Sequence, residues 1–116
     1  MVVQTQSGEK TGRVLHALSD ATRRDILART LRGQQSISAL AGNYPVSFTA
    51  VQKHVTVLER AGLVTKQRRG REQLVRGEID AVRTARRALE ALEDIWRSRL
   101  DRFGDVLADI TKEDRT

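Results

Sequence analysis

The chain has no cysteine, one proline, one tryptophan, one tyrosine and two phenylalanines. The absence of cysteine excludes disulfides, thiolate metal sites and thiol redox sensing. No apolar run approaches the roughly 18 residues of a membrane-spanning helix. The N-terminal segment MVVQTQSGEK also lacks the long apolar stretch of a signal peptide. We therefore expect a cytoplasmic chain with no membrane partner.

The residue patterns that support catalysis or metal binding are also missing. The chain has no glycine-rich phosphate loop and no serine motif with a histidine in matching order. Its only histidines, His16 and His54, fall short of the ligand set of a zinc site. Acidic residues four apart near the C-terminus predict a solvated face paired with nearby arginines, and they are Asp101, Asp105, Asp109 and Glu113. We expect no enzymatic activity, no cofactor and no metal.

The charge of the chain is unevenly distributed. The 116 residues, enough for a single domain, hold 21 Lys and Arg against 15 Asp and Glu, for a net charge of +6. Residues 1–79 carry 13 cations and 6 anions, or +7, whereas residues 80–116 carry 8 cations and 9 anions, or −1. A basic N-terminal part attracts polyanions, but charge alone does not distinguish DNA from RNA or an anionic membrane.

Residues 47–64, SFTAVQKHVTVLERAGLV, predict an amphipathic helix capped by Ser47. Val51, Val55 and Leu58 share one side of this helix, which predicts a buried face. Amides, hydroxyls and cations with almost no acid occupy the other side, and these residues are Thr49, Gln52, Lys53, Thr56 and Arg60. Such groups can read base edges and bind phosphates in a DNA major groove.

A basic β-hairpin is predicted directly after this helix. Residues 63–65 and 73–75 have the composition of paired strands, and the tip at 66–71 contains four cations and a turn glycine. A recognition helix followed by such a hairpin is the arrangement of a winged helix-turn-helix. We expect the arginines of the tip to hold the wing on the phosphate backbone, and they are Arg68, Arg69 and Arg71.

Shorter helices are predicted upstream. A flexible tail is expected to end near Lys10, and a first helix begins near Thr11. Asp20 caps a second helix over residues 21–31, in which Ile26, Leu27 and Leu31 are candidates for burial. A short third helix, capped by Ser36, would complete the helix-turn-helix with the recognition helix, after a turn at Pro45.

The C-terminal segment predicts a long helix with an apolar seam. From Asp80, the predicted N-cap, to about residue 110, only Gly104 weakens the helical pattern. A seven-residue spacing predicts packing along another helix, and it connects Val82, Leu89, Trp96, Phe103 and Ile110. A second row, interrupted by Arg99, contains Ala85, Leu92 and Val106. A helix about 45 Å long exceeds what the domain formed by residues 11–79 can cover, so we expect a second subunit. Trp96 belongs to this interface or to an effector pocket between subunits.

Three segments resemble the ArsR/SmtB family of bacterial winged-helix repressors: ALSDATRRDILARTL at 17–31, PVSFTAVQKHVTVLERAGLV at 45–64 and RRGREQLVR at 68–76. The resemblance implies a homodimer built from the first and last helices, an imperfect palindromic operator and release by an effector. It also implies a phosphate contact or a structural hydrogen bond for His54. The chain is similar to a branch without the usual metal sites, because residues 36–40 offer no metal ligand. Gln52 stands where a serine is common, which suggests a different operator sequence.

The sequence thus predicts a mainly α fold: a tail at 1–10, a winged helix-turn-helix at 11–79 and a C-terminal dimerisation segment at 80–116. The predicted function is a dimeric, sequence-specific repressor with recognition helices in successive major grooves, about 34 Å apart. The DNA-binding candidates are Ser47, Thr49, Gln52, Lys53, His54, Thr56, Arg68, Arg69 and Arg71, and the dimerisation candidates are Val14, Leu89, Leu92, Trp96, Phe103 and Val106. The alternatives are an architectural DNA-binding protein without sequence preference and a protein-interaction module.

Overall fold

A computed structural model describes residues 6–114 of the chain. The chain divides into two compact units, Met1–Ala85, called the head below, and Arg86–Thr116, called the distal segment. The elements are α1 (Gln6–Ala17), α2 (Ala21–Arg32), β1 (Gln35–Ser36), α3 (Ile37–Ala41), α4 (Phe48–Arg60), β2 (Val64–Arg69), β3 (Glu72–Gly77) and α5 (Ile79–Asp114). The predicted winged helix-turn-helix with a long C-terminal helix is confirmed.

Local capping explains where the head helices begin. The side chains of Asp20, Ser36 and Ser47 accept hydrogen bonds from backbone N–H groups in the first turns of α2, α3 and α4. These are the caps that the sequence predicts. The predicted tail differs: residues 1–5 lie outside the described residues, whereas residues 6–10 belong to α1. The first helix therefore begins five residues before the predicted start at Thr11.

The wing belongs to a three-stranded antiparallel sheet in the order β1-β3-β2. β2 and β3 form the predicted hairpin, in which Val64 pairs with Gly77 and Arg69 pairs with Glu72. The short strand β1 adds two further pairs to β3, one of them between Gln35 and Val75. This third strand is missing from the sequence prediction, and it connects the end of α2 to the base of the wing.

The core of the head joins all its helices to the sheet. Its fully buried side chains include Val14 of α1, Ile26 of α2, Leu40 of α3, Leu58 of α4 and Val75 of β3. Ala81 and Ala85, from the first turns of α5, are buried in the same core. The start of α5 is therefore part of the head's packing.

Two positions in α2 differ from the predicted burial pattern. Leu31 remains 38% exposed, while Thr30 is buried. Thr30 is accommodated because its hydroxyl hydrogen-bonds the carbonyls of Ile26 and Leu27, at 2.9 and 3.1 Å. Leu31 instead lies against Gly77 of β3, where a Cβ atom would come within 2.8 Å of the leucine side chain. A glycine at 77 therefore permits the close approach of α2 to the sheet.

The distal segment is the remainder of α5, and it carries exposed apolar side chains. The helix runs without a break from Ile79 to Asp114, with Asp80 inside its first turn and Gly104 in its interior. Large hydrophobic side chains of this segment that are about half exposed or more are Leu89, Leu92, Ile95, Trp96, Leu100, Phe103, Val106, Leu107 and Ile110. Within the described residues, no helix is sufficiently long and apolar to cross a bilayer.

Candidate nucleic-acid interface

Helix α4 presents a polar face opposite its buried one. Val51, Val55 and Leu58 are fully buried, while Thr49, Gln52 and Lys53 are exposed. The buried residues fix the rotation of the helix about its axis. Thr49, Gln52 and Lys53 therefore face solvent because the apolar residues of the same helix occupy the core, whereas Thr56 is half-buried.

Two hydroxyl groups on this face already have partners within the helix. Ser47 Oγ accepts a hydrogen bond from the Ala50 amide at 3.1 Å, so its own hydrogen remains available to an acceptor outside the protein. Thr56 Oγ1 donates to the Gln52 carbonyl at 3.0 Å. Because that hydrogen is used, Thr56 in this rotamer can offer DNA an acceptor or its methyl group.

A polar cleft of about 330 Å³ lies between the recognition helix and the wing. Phe48 and Gln52 line it from α4, and Arg68 and Arg71 line it from the hairpin. The structure thus brings a predicted base-reading amide and two predicted phosphate-binding cations to one opening. Phe48, which is 46% exposed, also lines the cleft and was not among the predicted site residues.

The prediction placed all the hairpin cations in the turn, whereas the structure places most of them in a strand. Arg68 and Arg69 belong to β2, and the turn itself is Gly70–Arg71, with Gly70 at φ 64°. A positive φ at the first turn residue favours glycine in a two-residue hairpin turn. Because side chains alternate along a strand, Arg68 lies on the cleft side of β2 and Arg69 on the opposite side.

Lys66, the fourth cation of the predicted tip at 66–71, is held in an ion pair. Lys66 Nζ lies 3.2 Å from a Glu59 carboxylate oxygen, and the lysine side chain is only 22% exposed. This ion pair joins β2 to the last turn of α4. The pair compensates the charge of Glu59, an acidic residue that faces the wing. Among the described residues, Arg68, Arg69 and Arg71 of the hairpin form no ion pair.

His54 lies at the flank of α4 that faces α2. Its Nδ1 atom is 3.4 Å from Arg23 Nη1 and 3.9 Å from Asp20 Oδ2. Because arginine only donates hydrogen bonds, a bond from Arg23 requires a neutral imidazole whose hydrogen is on Nε2. His54 therefore has a structural partner, and a phosphate contact through Nε2 remains a prediction.

Arg23 also connects α2 to the end of α1. Its Nε donates to the Ala17 carbonyl at 2.8 Å, and its Nη2 donates to the His16 carbonyl at 3.2 Å. A guanidinium at these C-terminal carbonyls satisfies groups that the helix leaves unpaired. The backbone N–H of Arg23 donates to Asp20 Oδ2 at 2.9 Å. This hydrogen bond is the main cause that lowers the pKa of Asp20 below its usual value. Sequence reasoning missed Arg23, since nothing local to residues 21–31 indicates its partners.

A clamp holds the turn between α3 and α4. The Tyr44 hydroxyl donates to Asp25 Oδ2 at 2.6 Å, and Arg29 Nε donates to the same oxygen at 2.8 Å. Desolvation is the main cause, and the hydrogen bond to Asp25 the second, that raises the pKa of Tyr44 to about 12. The hydrogen bonds from Tyr44 and then Arg29 lower the pKa of Asp25. The clamp thus fixes the turn that positions the recognition helix relative to α2.

The predicted dimerisation residues separate into two groups. Leu89, Leu92, Trp96, Phe103 and Val106 are exposed on the distal segment, and their contact with a second subunit remains a prediction. Val14 is fully buried in the head, so the prediction that it contacts a second subunit is corrected. It packs within its own chain because α1 turns this residue toward the core. Across the described residues, no cluster of three or more His, Asp or Glu side chains could hold a metal ion.

Known proteins similar to this chain are transcriptional regulators. No family model matches the chain. An ArsR-like transcriptional regulator from Rhodococcus sp. RHA1 is 34% identical, with a TM-score of 0.75, over 88% of this chain and 96% of that one. A homodimeric winged helix-turn-helix DNA-binding domain from Mycobacterium bovis has a TM-score of 0.61 at 24% identity, over 81% of this chain and 91% of that one, which shows the shared fold.

A curated relative is the HTH-type transcriptional regulator Rv2034 of Mycobacterium tuberculosis, which is 44% identical over 52 residues. That alignment covers 45% of this chain and 49% of Rv2034, so the match spans about half the length of the relative. The likeness to the Rhodococcus regulator, in contrast, extends over nearly all of that structure. Together with the winged helix-turn-helix described above, these findings show that the chain belongs to the ArsR family of transcriptional regulators.

Proposed function

We propose that the chain is a sequence-specific DNA-binding repressor that acts as a homodimer on an imperfect palindrome. The observation that carries this proposal is the cleft in which Gln52 of α4 lies beside Arg68 and Arg71 of the hairpin. A base-reading amide and phosphate-binding cations in one opening are the two kinds of contact that a specific protein–DNA interface combines.

The exposed groups of α4 match the chemistry of base edges. Gln52 can bond adenine through a paired donor and acceptor, and Lys53 can donate to guanine or to a phosphate. Arg68 and Arg71 would bind the backbone on one side of the hairpin, with Arg69 on the other. Residues 1–79 also carry a net charge of +7, which favours a polyanion.

A second copy of this chain is the partner that best fits the distal segment. Trp96 and Phe103 are 57% and 63% exposed and are seven residues apart, so they lie on one face of α5. The ion pairs Arg86–Glu90 and Arg97–Glu93 are exposed on the same helix, at 3.3 and 2.8 Å. An apolar stripe flanked by both signs of charge is suited to an identical stripe, and a two-fold pair of recognition helices reads an inverted repeat.

Selection from random double-stranded DNA by the full chain tests this function. We expect enrichment of two inverted half-sites separated by about one helical turn. Equal retention of random and selected DNA would instead identify a non-specific architectural protein. A selected site without inverted symmetry would contradict the homodimer, and a failure to retain any DNA would favour a protein-interaction module.

A further inference from the structure

Phe48 is an exposed aromatic residue at the start of the recognition helix. It follows the N-cap Ser47 directly and is 46% exposed. It is absent from the buried core, whose α4 members include Val51, Val55 and Leu58. A single exposed hydrophobic residue on a protein surface needs no special explanation. What distinguishes Phe48 is its position in the cleft between the recognition helix and the wing.

The side chain of Phe48 shares that cleft with Gln52, Arg68 and Arg71. Phe48 and Gln52 are four residues apart on α4, which places their Cβ atoms roughly 5–6 Å from each other. Successive base pairs are about 3.4 Å apart along the duplex. The two side chains would therefore meet base pairs one or two steps apart in the major groove.

The major groove offers one apolar group that suits an aromatic side chain. Only thymine carries a C5-methyl group there, and apolar side chains such as phenylalanine recognise it by contact. Resting on the proposed function, we infer that Phe48 determines specificity by packing on a thymine methyl group next to the base read by Gln52. The contact buries apolar surface that the free protein leaves in water, and a cytosine at that position lacks the methyl group.

Replacement of single thymines by deoxyuridine in the selected site tests this inference, because it removes only the methyl group. With the full chain, we expect one symmetric thymine position at which the replacement weakens binding about fourfold per half-site, the value for one buried methyl group. Phe48→Ala should bind the thymine and uracil duplexes equally. Phe48→Leu, which keeps an apolar side chain, should retain part of the difference.

Val46→Ala is the matched control. Val46 is 45% exposed, close to the value of Phe48, and it precedes the N-cap without lining the cleft. This variant should keep the full preference for thymine, and thermal melting should show that all the variants fold. Sequence-specific binding by the parent with no uracil effect at any position overturns the role of Phe48 alone, as does an undiminished uracil effect in Phe48→Ala. If the parent shows no sequence preference at all, the proposed function is overturned as well.

Discussion

Tyr44 donates its hydroxyl hydrogen to Asp25 over 2.6 Å, and this bond ties the turn before the recognition helix to α2. Arg29 completes the clamp, with its guanidinium 6.0 Å from the centre of the tyrosine ring. The turn itself contains the chain's only proline, Pro45. The orientation of α4 relative to α2 therefore depends on a polar contact as well as on the apolar core.

We predict that Tyr44 titrates well above an ordinary tyrosine. It is the only tyrosine, so the ultraviolet absorbance of its phenolate can be followed without interference from another one. The folded chain should show a pKa of about 12, and the unfolded chain a value near the ordinary tyrosine pKa of 10.0. Because the folded pKa is raised, the contribution to stability is present below pH 10.0 and is lost as pH rises toward 12.

Asp25→Ala and Tyr44→Phe test what raises the Tyr44 pKa and what makes the stability of the chain depend on pH. Asp25→Ala should bring the Tyr44 pKa closer to its ordinary value, since the hydrogen bond and the negative charge both disappear. Asp25 itself has a lowered pKa, so its contribution is present above pH 3.8 and is lost as pH falls below that value. Tyr44→Phe should therefore reduce the loss of stability at both extremes of pH. An ordinary titration of Tyr44 in the folded parent would contradict the clamp.

The elements predicted well from sequence are those with local signals. Caps at Asp20, Ser36 and Ser47, followed by periodic apolar residues, define α2, α3 and α4. Strand β1 could not be recognised in this way, because its two residues gain their hydrogen bonds from Val75 and Leu74, far along the chain. The depth of Val14 in the core likewise depends on the packing of other helices around α1.

In the candidate interface, too, the features with local sequence signals were predicted and those that depend on distant contacts were not. The periodicity of α4 identified Gln52 and Lys53 as exposed, because buried valines at 51 and 55 determine the opposite face. The pairing of Lys66 with Glu59 depends on how the hairpin folds back on α4. The sequence alone does not reveal this ion pair, so Lys66 was predicted as one of four free cations at the hairpin tip. Phe48 had a usable signal, namely its position four residues before Gln52 and directly after the N-cap.

Gln52→Ala is expected to relax base preference without removing phosphate contacts. Loss of one bidentate contact should cost about 1–3 kcal/mol at a single base position. Selection from random DNA by the variant should therefore show weaker preference at one symmetric position in each half-site. Thr65→Ala is a suitable control, because Thr65 hydrogen-bonds Glu78 at the base of the wing. An identical selected motif for Gln52→Ala and the parent would remove Gln52 from the reading residues.

Replacement of Arg68 and Arg69 by alanine is expected to weaken all DNA sequences about equally. Each lost phosphate contact should flatten the dependence of log K on log salt by roughly one unit, as measured by fluorescence anisotropy. Arg76→Ala removes a cation that is already held by Glu78 at 3.0 Å, so it should change the slope less. A slope that stays at the parent value after both arginines are removed would show that the wing does not contact the backbone.

Phe103→Glu is expected to abolish the homodimer while leaving the head folded. Phe103 is exposed and belongs to the distal segment, so a charge there should disrupt only packing between chains. Trp96, the only tryptophan, reports the interface: its emission in the parent should shift to longer wavelength on dilution, and in the variant it should remain solvated throughout.

Asp101→Ala, an exposed change on the same helix, is the control and should behave as the parent. Without the second subunit, affinity for a full palindrome should fall about 10²–10⁴-fold, because the linked half-site loses its effective concentration. Sedimentation measurements give the mass independently of fluorescence. A Phe103→Glu chain that still sediments as a tight dimer would show that the subunits associate through a surface other than the apolar stripe of α5.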